Sequence, residues 1–380
     1  MDNTYLNRTL QDLVRINSIN PAFTGGRTNE SEIAEYLAEA FAALGMEVNR
    51  YEPRPGRVSV VGRRPGKGGG RSLMLNGHID TVAVDGMDNP FSGDIRGNRL
   101  YGRGAYDMKG GVAACLGAVH ALGETPLAGD VLIAAVADEE VASIGMTEVL
   151  RHHHTDGAIV TEPTELEVCL ACKGFCWIEV ETVGRAAHGS RFDVGIDANM
   201  RMGRVLARLE RLEQDLRSRP PHWLVGPPSL HAAVLRGGSG TSTYAASCRL
   251  EIERRMLPDE TEAEVLAEVQ AIIDEEFTRD PSFRARVRPF LTRMGFEVET
   301  DSPLVDTLLT SATSRLGIRP PFTGAAYWMD AALIAGAGIE TAVIGAIGEG
   351  AHADVEWVDL DSVAHVAAIL ADTALAFCGT

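Results

Sequence analysis

Positive charge is scarce in this chain. Lys and Arg number 35 against 53 Asp and Glu, for a formal net charge of −18. Nucleic acid and anionic membrane surfaces are met by concentrated basic patches, so neither partner is expected. Cysteine is sparse as well. Six in 380 residues do not make a disulfide framework. No apolar run reaches the roughly 18 residues that a membrane-spanning helix needs. The start, Met1-Asp2-Asn3-Thr4-Tyr5-Leu6-Asn7-Arg8, lacks a basic stretch followed by an apolar core. No secretory signal is expected, and a reducing cytoplasm is the simplest home. Internal repeats and low-complexity tracts are also missing.

What is present is an ordinary globular composition, 45% hydrophobic and 23% charged, at a length that suits two domains. Helical spacing marks Tyr5–Val14 and Glu32–Leu44, the second stopped by Gly45. Pro53–Gly70 is basic and rich in Gly and Pro, and reads as a turn region between exposed strands. Apolar strand runs then alternate with helix candidates over Gly110–Leu122 and Gly145–Arg151. This rhythm implies a mainly parallel sheet flanked by helices. The pattern changes near Gly174. A strand over Phe175–Val183 is followed by a helix over Asp197–Leu216, strands over Leu230–Leu235 and Tyr244–Arg254, a helix over Glu260–Phe277 and a strand over Phe283–Val287. The capping box Thr261-x-x-Glu264 opens the second helix. The order β-α-β-β-α-β is that of a ferredoxin-like unit. Afterwards the βα rhythm returns, with Ser302 capping a helix that has Pro303 first and Gly317 after its end. The expected architecture is an α/β catalytic domain in two pieces, 1–174 and 291–380, with an inserted α+β domain at 175–290.

Acidic and imidazole side chains follow four strongly apolar runs. His78 and Asp80 follow Leu73-Met74-Leu75-Asn76-Gly77. Asp138, Glu139 and Glu140 follow Val131–Ala137, and Glu162 follows Ala158-Ile159-Val160-Thr161. His352 comes after Thr341–Gly345 and a short Gly-rich loop. Open parallel sheets bind ligands outside the carboxyl ends of their strands. Two His and several carboxylates there suit Zn²⁺ or a similar divalent ion. Glu139 and Glu140, being adjacent, diverge, so one can bind metal while the other faces the cleft as a base. Asp80 can share the side of His78 and suits a carboxylate that orients the imidazole. Cys169-x-x-Cys172-x-x-x-Cys176 reads as buried thiols, and His152-His153-His154 as a solvated loop. Gly102-x-Gly104 lacks the third glycine of a nucleotide fingerprint.

In order along the chain stand Gly77-His78-Ile79-Asp80-Thr81-Val82, Tyr101-Gly102-Arg103-Gly104-Ala105-Tyr106-Asp107-Met108-Lys109-Gly110-Gly111, Asp138-Glu139-Glu140, Thr161-Glu162-Pro163-Thr164, Ala187-His188-Gly189-Ser190 and Gly350-Ala351-His352-Ala353-Asp354-Val355-Glu356-Trp357-Val358. With these segments the chain resembles the M20 metallopeptidases, a family of deacetylases, desuccinylases, aminoacylases and carboxypeptidases. The resemblance implies two divalent metal ions, Zn²⁺ first with Co²⁺ or Mn²⁺ as alternatives. His78 and Glu162 would hold one, His352 and Glu140 the other, and Asp107 would bridge them. Glu139 matches the general base. His188 matches a histidine that reaches the partner subunit's active site and helps hold the oxyanion, which implies a homodimer through the inserted domain. Arg255, in Arg255-Met256-Leu257-Pro258, matches an arginine that fixes a substrate carboxylate, although Arg254 is adjacent. Two departures bear on the substrate. Thr241–Cys248 lacks the Asn-x-x-Pro element common in the family, and Ala325–Ala332 lacks an extra arginine, with Tyr327 and Trp328 there expected to line the pocket with apolar surface instead. Both argue against a doubly charged substrate. The expected activity is release of an acyl group from an N-acyl amino acid or related small amide. A dipeptidase or carboxypeptidase, a deacylase of a biosynthetic intermediate and a non-catalytic metal-binding relative are the alternatives.

Overall fold

Four apolar runs of the sequence become the parallel centre of a mixed β-sheet. In this computed structural model, which describes residues 2–380, the strands Val131–Val136, Leu73–His78, Gly157–Val160 and Glu340–Val343 lie side by side and parallel. The first three are buried along their whole length, as strands covered on both faces must be. The flanks are antiparallel. Arg57–Arg64 and then Glu47–Arg54 extend one edge, and Val168–Cys172 meets Glu340–Val343 on the other. The sheet is therefore mixed, with a parallel core that sends four carboxyl ends the same way.

Pro53–Gly70 differs from its sequence reading. Arg57–Arg64 is a largely buried second strand, and the turn before it is confined to Pro55 and Gly56. Ser59-Val60-Val61 supplies the buried part, which the flanking Gly, Pro and Arg residues obscured. Helices cover the sheet. Asn3–Arg15 is capped by Asp2, and Pro303–Leu316 by Ser302. Gly110–Leu122 packs so closely that a Cβ on Gly111 would lie 2.3 Å from the Thr161 carbonyl oxygen. Only a glycine permits that approach, and it seats the helix beside the strand end that carries Glu162. The last helix, Leu360–Cys378, is long and apolar enough to cross a membrane by length and composition, but most of it is buried in the protein. It is a core helix, and it interleaves Asp361, His365 and Asp372 with the apolar residues.

The chain divides into two compact units. The first comprises residues up to Leu170 with Val298–Thr323 and Met329–Thr380; the second comprises Ala171–Glu297 with Gly324–Trp328. The second unit is wider than 175–290 by a few residues at each end, and it takes in a short segment from much later in the chain. Its antiparallel sheet runs Ser229–Gly237, Ser247–Met256, Gly174–Val183, Ala285–Arg293. The helices Ala198–Ser218 and Glu262–Arg279 cover one face, the second opened by the Thr261–Glu264 capping box. Leu209 and Leu216 lie in the core between helices and sheet, with Leu212 packed against it.

Candidate metal centre

The site is assembled from the strand ends of the first unit. His78 is the last residue of its strand. Glu139, Glu140 and Glu162 stand two to four residues beyond theirs. Asp107 comes from the irregular helical turn Ala105–Lys109, and its peptide bond to Met108 is cis. His352 follows Gly348–Glu349 on left-handed backbone, φ 62°.

Asp107 faces both imidazoles with different atoms. Its Oδ1 is 3.1 Å from His78 Nε2, and its Oδ2 is 3.3 Å from His352 Nε2. Glu162 Oε1 lies 3.8 Å from His78 Nε2, and Glu140 Oε2 lies 3.1 Å from His352 Nε2. Ligand-capable atoms of His78, Glu139 and Glu162 fall within 4.8 Å of one another, as do those of His78, Asp107 and Glu140. The structure thus gathers His78, Asp107, Glu140, Glu162 and His352 around one locus, with Glu139 beside them.

Four carboxylates converge there with two imidazoles, an excess of negative charge in a poorly hydrated place. Burial pushes Glu162 up to about 8 and Glu139 well above the carboxylate range, with their acidic neighbours adding to the shift. Burial raises Glu140 too. Burial alone would lower His78, but its hydrogen bond with Asp107 and the nearby Glu162 and Glu139 charges hold it well above the imidazole range. Hydrogen bonds with Asp107 and Glu140 push His352 up to about 10. Asp107 moves the other way: burial opposes its charge, yet the two imidazoles hold it below the usual carboxylate range. A bound cation would relieve the raised carboxylates and displace the extra protons from the two imidazoles. The His78 Nδ1–H donates 2.9 Å to the Asp80 carbonyl oxygen, which turns Nε2 toward the carboxylates. Donors of this kind suit divalent ions that accept nitrogen and oxygen ligands.

Asp80 does not orient His78 through its carboxylate. Its Oδ1 stands 3.8 Å from His78 Nδ1, because the nearer backbone carbonyl has taken that proton. The carboxylate turns instead to the acidic loop. Oδ1 accepts from the Glu139 N–H at 3.1 Å, and Oδ2 from the Glu140 N–H at 3.3 Å. Asn20 donates to Asp80 at 2.8 Å and to Asp138 at 3.0 Å. Buried Arg57 contacts Asp138, Glu30 and Asn20. A buried polar chain therefore runs from Glu30 to the backbone that carries Glu139 and Glu140.

A second support holds Asp107. Buried Glu356 accepts from the Tyr106 and Asp107 N–H groups through Oε1 (2.9 and 3.0 Å) and from Gly104 N–H and Arg103 through Oε2 (3.0 and 2.7 Å). Arg103 also donates 2.9 Å to the Ala353 carbonyl oxygen, next to His352. Fully buried Lys109 donates from Nζ to the Leu13 and Ile16 carbonyl oxygens, at the end of the first helix. These supports had no role in the sequence reading. The available signal was a charged residue inside an apolar stretch, as in Val355-Glu356-Trp357-Val358, which requires a buried partner.

Other candidates are placed as follows. Cys169, Cys172 and Cys176 are buried, and no cysteine forms a disulfide. His152 pairs with Glu148, and His153 bonds the Tyr51 hydroxyl at 2.7 Å. In the second unit, Arg254 is fully buried and held by Glu260 and Glu268. Arg255 points to the opposite sheet face, part-exposed, with Nε donating 2.7 Å to Glu253. His188 is exposed, and the Ser190 N–H donates to its Nδ1 at 3.3 Å.

The sequence matches Peptidase family M20/M25/M40 over residues 74–376. It is 30% identical to the acetylornithine deacetylase of Myxococcus xanthus, over 98% of each chain. Its fold is similar to that of a tripeptidase from Staphylococcus aureus, with TM-score 0.81 and 21% identity over 100% of this chain and 99% of the other. It is also similar to YXEP of Bacillus subtilis, described as a dinuclear metal-binding peptidase of the M20 family, with TM-score 0.77 and 15% identity over 99% and 98% of the two chains. Strand-end donors, fold and sequence agree: the chain belongs to peptidase family M20/M25/M40, whose members are metal-dependent amide hydrolases.

Proposed function

We propose that the chain uses two divalent metal ions, Zn²⁺ first, to hydrolyse an N-acyl amino acid or a similar small amide. The observation that carries this reading is the position of Asp107, whose two oxygens address different imidazoles at 3.1 and 3.3 Å. Such a carboxylate suits a bridge, with His78 and Glu162 on one side and His352 and Glu140 on the other. When bound, the metal pair would polarise the amide carbonyl and make water acidic at neutral pH. The rest falls to side chains. Glu139 takes a proton from the attacking water and returns it to the leaving amine. Asp80 sets the direction of Glu139 through the backbone N–H it binds.

Two assignments lie in the second unit. His188 Nδ1 is engaged by Ser190, 2.9 Å from its Oγ and 3.3 Å from its N–H, which leaves Nε2 as the ring atom open to an oxyanion. Arg255 is the arginine for the substrate carboxylate, since Arg254 is engaged by Glu260 and Glu268. His188 acts in the partner subunit's site, in a homodimer built through this unit. The edge strand Ser229–Gly237, with a bulge between Ala232 and Val234, is the natural surface for a second copy. A cytoplasmic setting fits six buried, unbridged thiols.

Glu139→Gln tests the reading. It is expected to bind metal at the parent stoichiometry and to lose turnover by about 10²-fold or more. Parent-rate hydrolysis by this variant would remove Glu139 from the mechanism. A substrate set of N-acetyl and N-formyl amino acids and dipeptides separates deacylation from peptide cleavage, which the same site could perform.

A further inference from the structure

One face of the second unit's sheet carries no helix, and strand alternation fills one end of it with rings. In Gly174–Val183, Cys176, Ile178 and Val180 point to the core, so Phe175 and Trp177 point the other way. In Ser247–Met256, Ile252 and Arg254 are buried, so Glu253 and Arg255 share the face with the rings. Register sets Arg255 opposite Phe175 and Glu253 opposite Trp177. Trp328, from the short late segment, closes the group edge-on to Phe175 at 6.2 Å between centroids, and Phe175 lies 5.2 Å from Trp177.

The polar atoms of this wall are already engaged, with one exception. Trp177 Nε1 donates to Glu253 Oε2 at 2.8 Å, and Trp328 Nε1 donates to the Met294 carbonyl oxygen at 3.0 Å. Both indoles therefore offer ring surface rather than a donor. Glu253 Oε1 takes Arg255 Nε at 2.7 Å. Arg255 Nη1 and Nη2 have no hydrogen bond among the described residues, and the guanidinium carbon sits 5.5 Å from the Phe175 centroid. That spacing is close to the separation of carboxylate and ring in an aromatic amino acid. A second cation, Lys173, is near enough for its charge to interact with that of Arg255. Of the acidic residues further along the face, Glu179 and Glu181 are paired with Arg288 and Arg249, and Glu251 lies beyond Glu253, two residues further from Arg255.

We propose that Arg255, Phe175, Trp177 and Trp328 form the subsite that selects the substrate, and that it takes an N-acyl amino acid with an aromatic side chain. The carboxylate meets the free guanidinium edge, held in direction by Glu253, while the ring packs on the aromatic wall. A cationic side chain would meet the Arg255 charge, and the carboxylate next to it, Glu253, is already engaged by Trp177 and Arg255. This inference rests on the amide-hydrolase reading and gives it a substrate class.

The test uses the metal-loaded, full-length enzyme. N-acetylphenylalanine is expected to have a kcat/KM at least about tenfold above those of N-acetylalanine and N-acetylornithine, an advantage an apolar pocket can supply. In Trp328→Ala and Phe175→Ala the phenylalanine-to-alanine ratio falls to within about threefold, mainly through KM. A direct titration of the Glu139→Gln protein with N-acetylphenylalanine, read by tryptophan fluorescence, shows saturable binding that Arg255→Ala and Trp328→Ala each weaken about tenfold. Hydrolysis without aromatic preference, or binding that both substitutions leave unchanged, overturns the subsite and leaves the hydrolase reading standing. Saturable, Arg255-dependent binding with no hydrolysis of any substrate supports the subsite and overturns the hydrolase reading instead.

Discussion

At the scale of single residues, the site depends on buried charges whose partners are backbone groups as often as side chains. His78 is oriented by a carbonyl oxygen, and the Asp80 carboxylate holds two N–H groups of the acidic loop. Glu30, at the far end of that polar chain, gives a measurable pH signature. Burial, reinforced by the Asp80 charge and only partly offset by Arg57, pushes it up to about 8. Between the ordinary carboxylate range and about pH 8 the native protein therefore keeps a proton that the unfolded chain has lost. Stability must fall as pH rises through that window. Glu30→Gln, which mimics the protonated form, should flatten the fall in melting temperature between pH 5 and pH 8. An unchanged slope would place the titration elsewhere. His78, Glu139, Glu140 and Glu162 could be singled out in the sequence because polar residues directly after apolar runs mark strand ends, whereas Asp107, in a Gly-rich turn, entered only through the family resemblance. The role of Asp80 was not legible. Residue spacing cannot tell whether a ring proton goes to a carboxylate or to the carbonyl of the same residue, because that depends on local backbone direction.

Among elements, the loops matter more than the strands they follow. Glu356 binds the N–H groups of Gly104, Tyr106 and Asp107 and the Arg103 guanidinium, and so it couples the turn bearing Asp107 to the loop bearing His352. Glu356→Ala removes that anchor and leaves Arg103 buried without its carboxylate. Stability should drop by about 3–5 kcal/mol in denaturant melts. Affinity for Zn²⁺, measured against a competing chelator, should drop about 10–100-fold. A variant with parent affinity would show that the turn holds its own shape. The helices and central strands followed from periodicity and caps, because continuous burial leaves continuous apolar runs in Leu73–His78 and Val131–Val136. Arg57–Arg64 was misread because a strand buried in its middle, with Gly and Arg at its ends, has the composition of a turn. Trp328, with Tyr327, could be read from the sequence as apolar pocket lining, but its grouping with Phe175 and Trp177 could not. Phe175 and Trp177 are adjacent in period-two sequence, but Trp328 arrives from a segment some 150 residues away.

For the whole molecule, the question is how many chains make one active site. If His188 serves the partner subunit, two inactive variants can repair each other. Co-expressed Glu139→Ala and His188→Ala chains should form mixed dimers in which one site has its own Glu139 and an intact histidine from across the interface. With random pairing, activity should recover to about a quarter of the parent level, while either variant alone stays low. No recovery in a confirmed mixed dimer would confine His188 to its own chain. The net charge of −18 belongs to this scale too, since divalent ions, once bound, would offset part of it.

The central claim is that Asp107 lies between two cations held by His78 with Glu162 and by His352 with Glu140. Calorimetric titration of the metal-stripped protein with Zn²⁺ tests it most directly. Two ions should bind per chain, and Asp107→Ala should weaken both together. Saturation at a single ion, with Asp107→Ala indistinguishable from the parent, would contradict it.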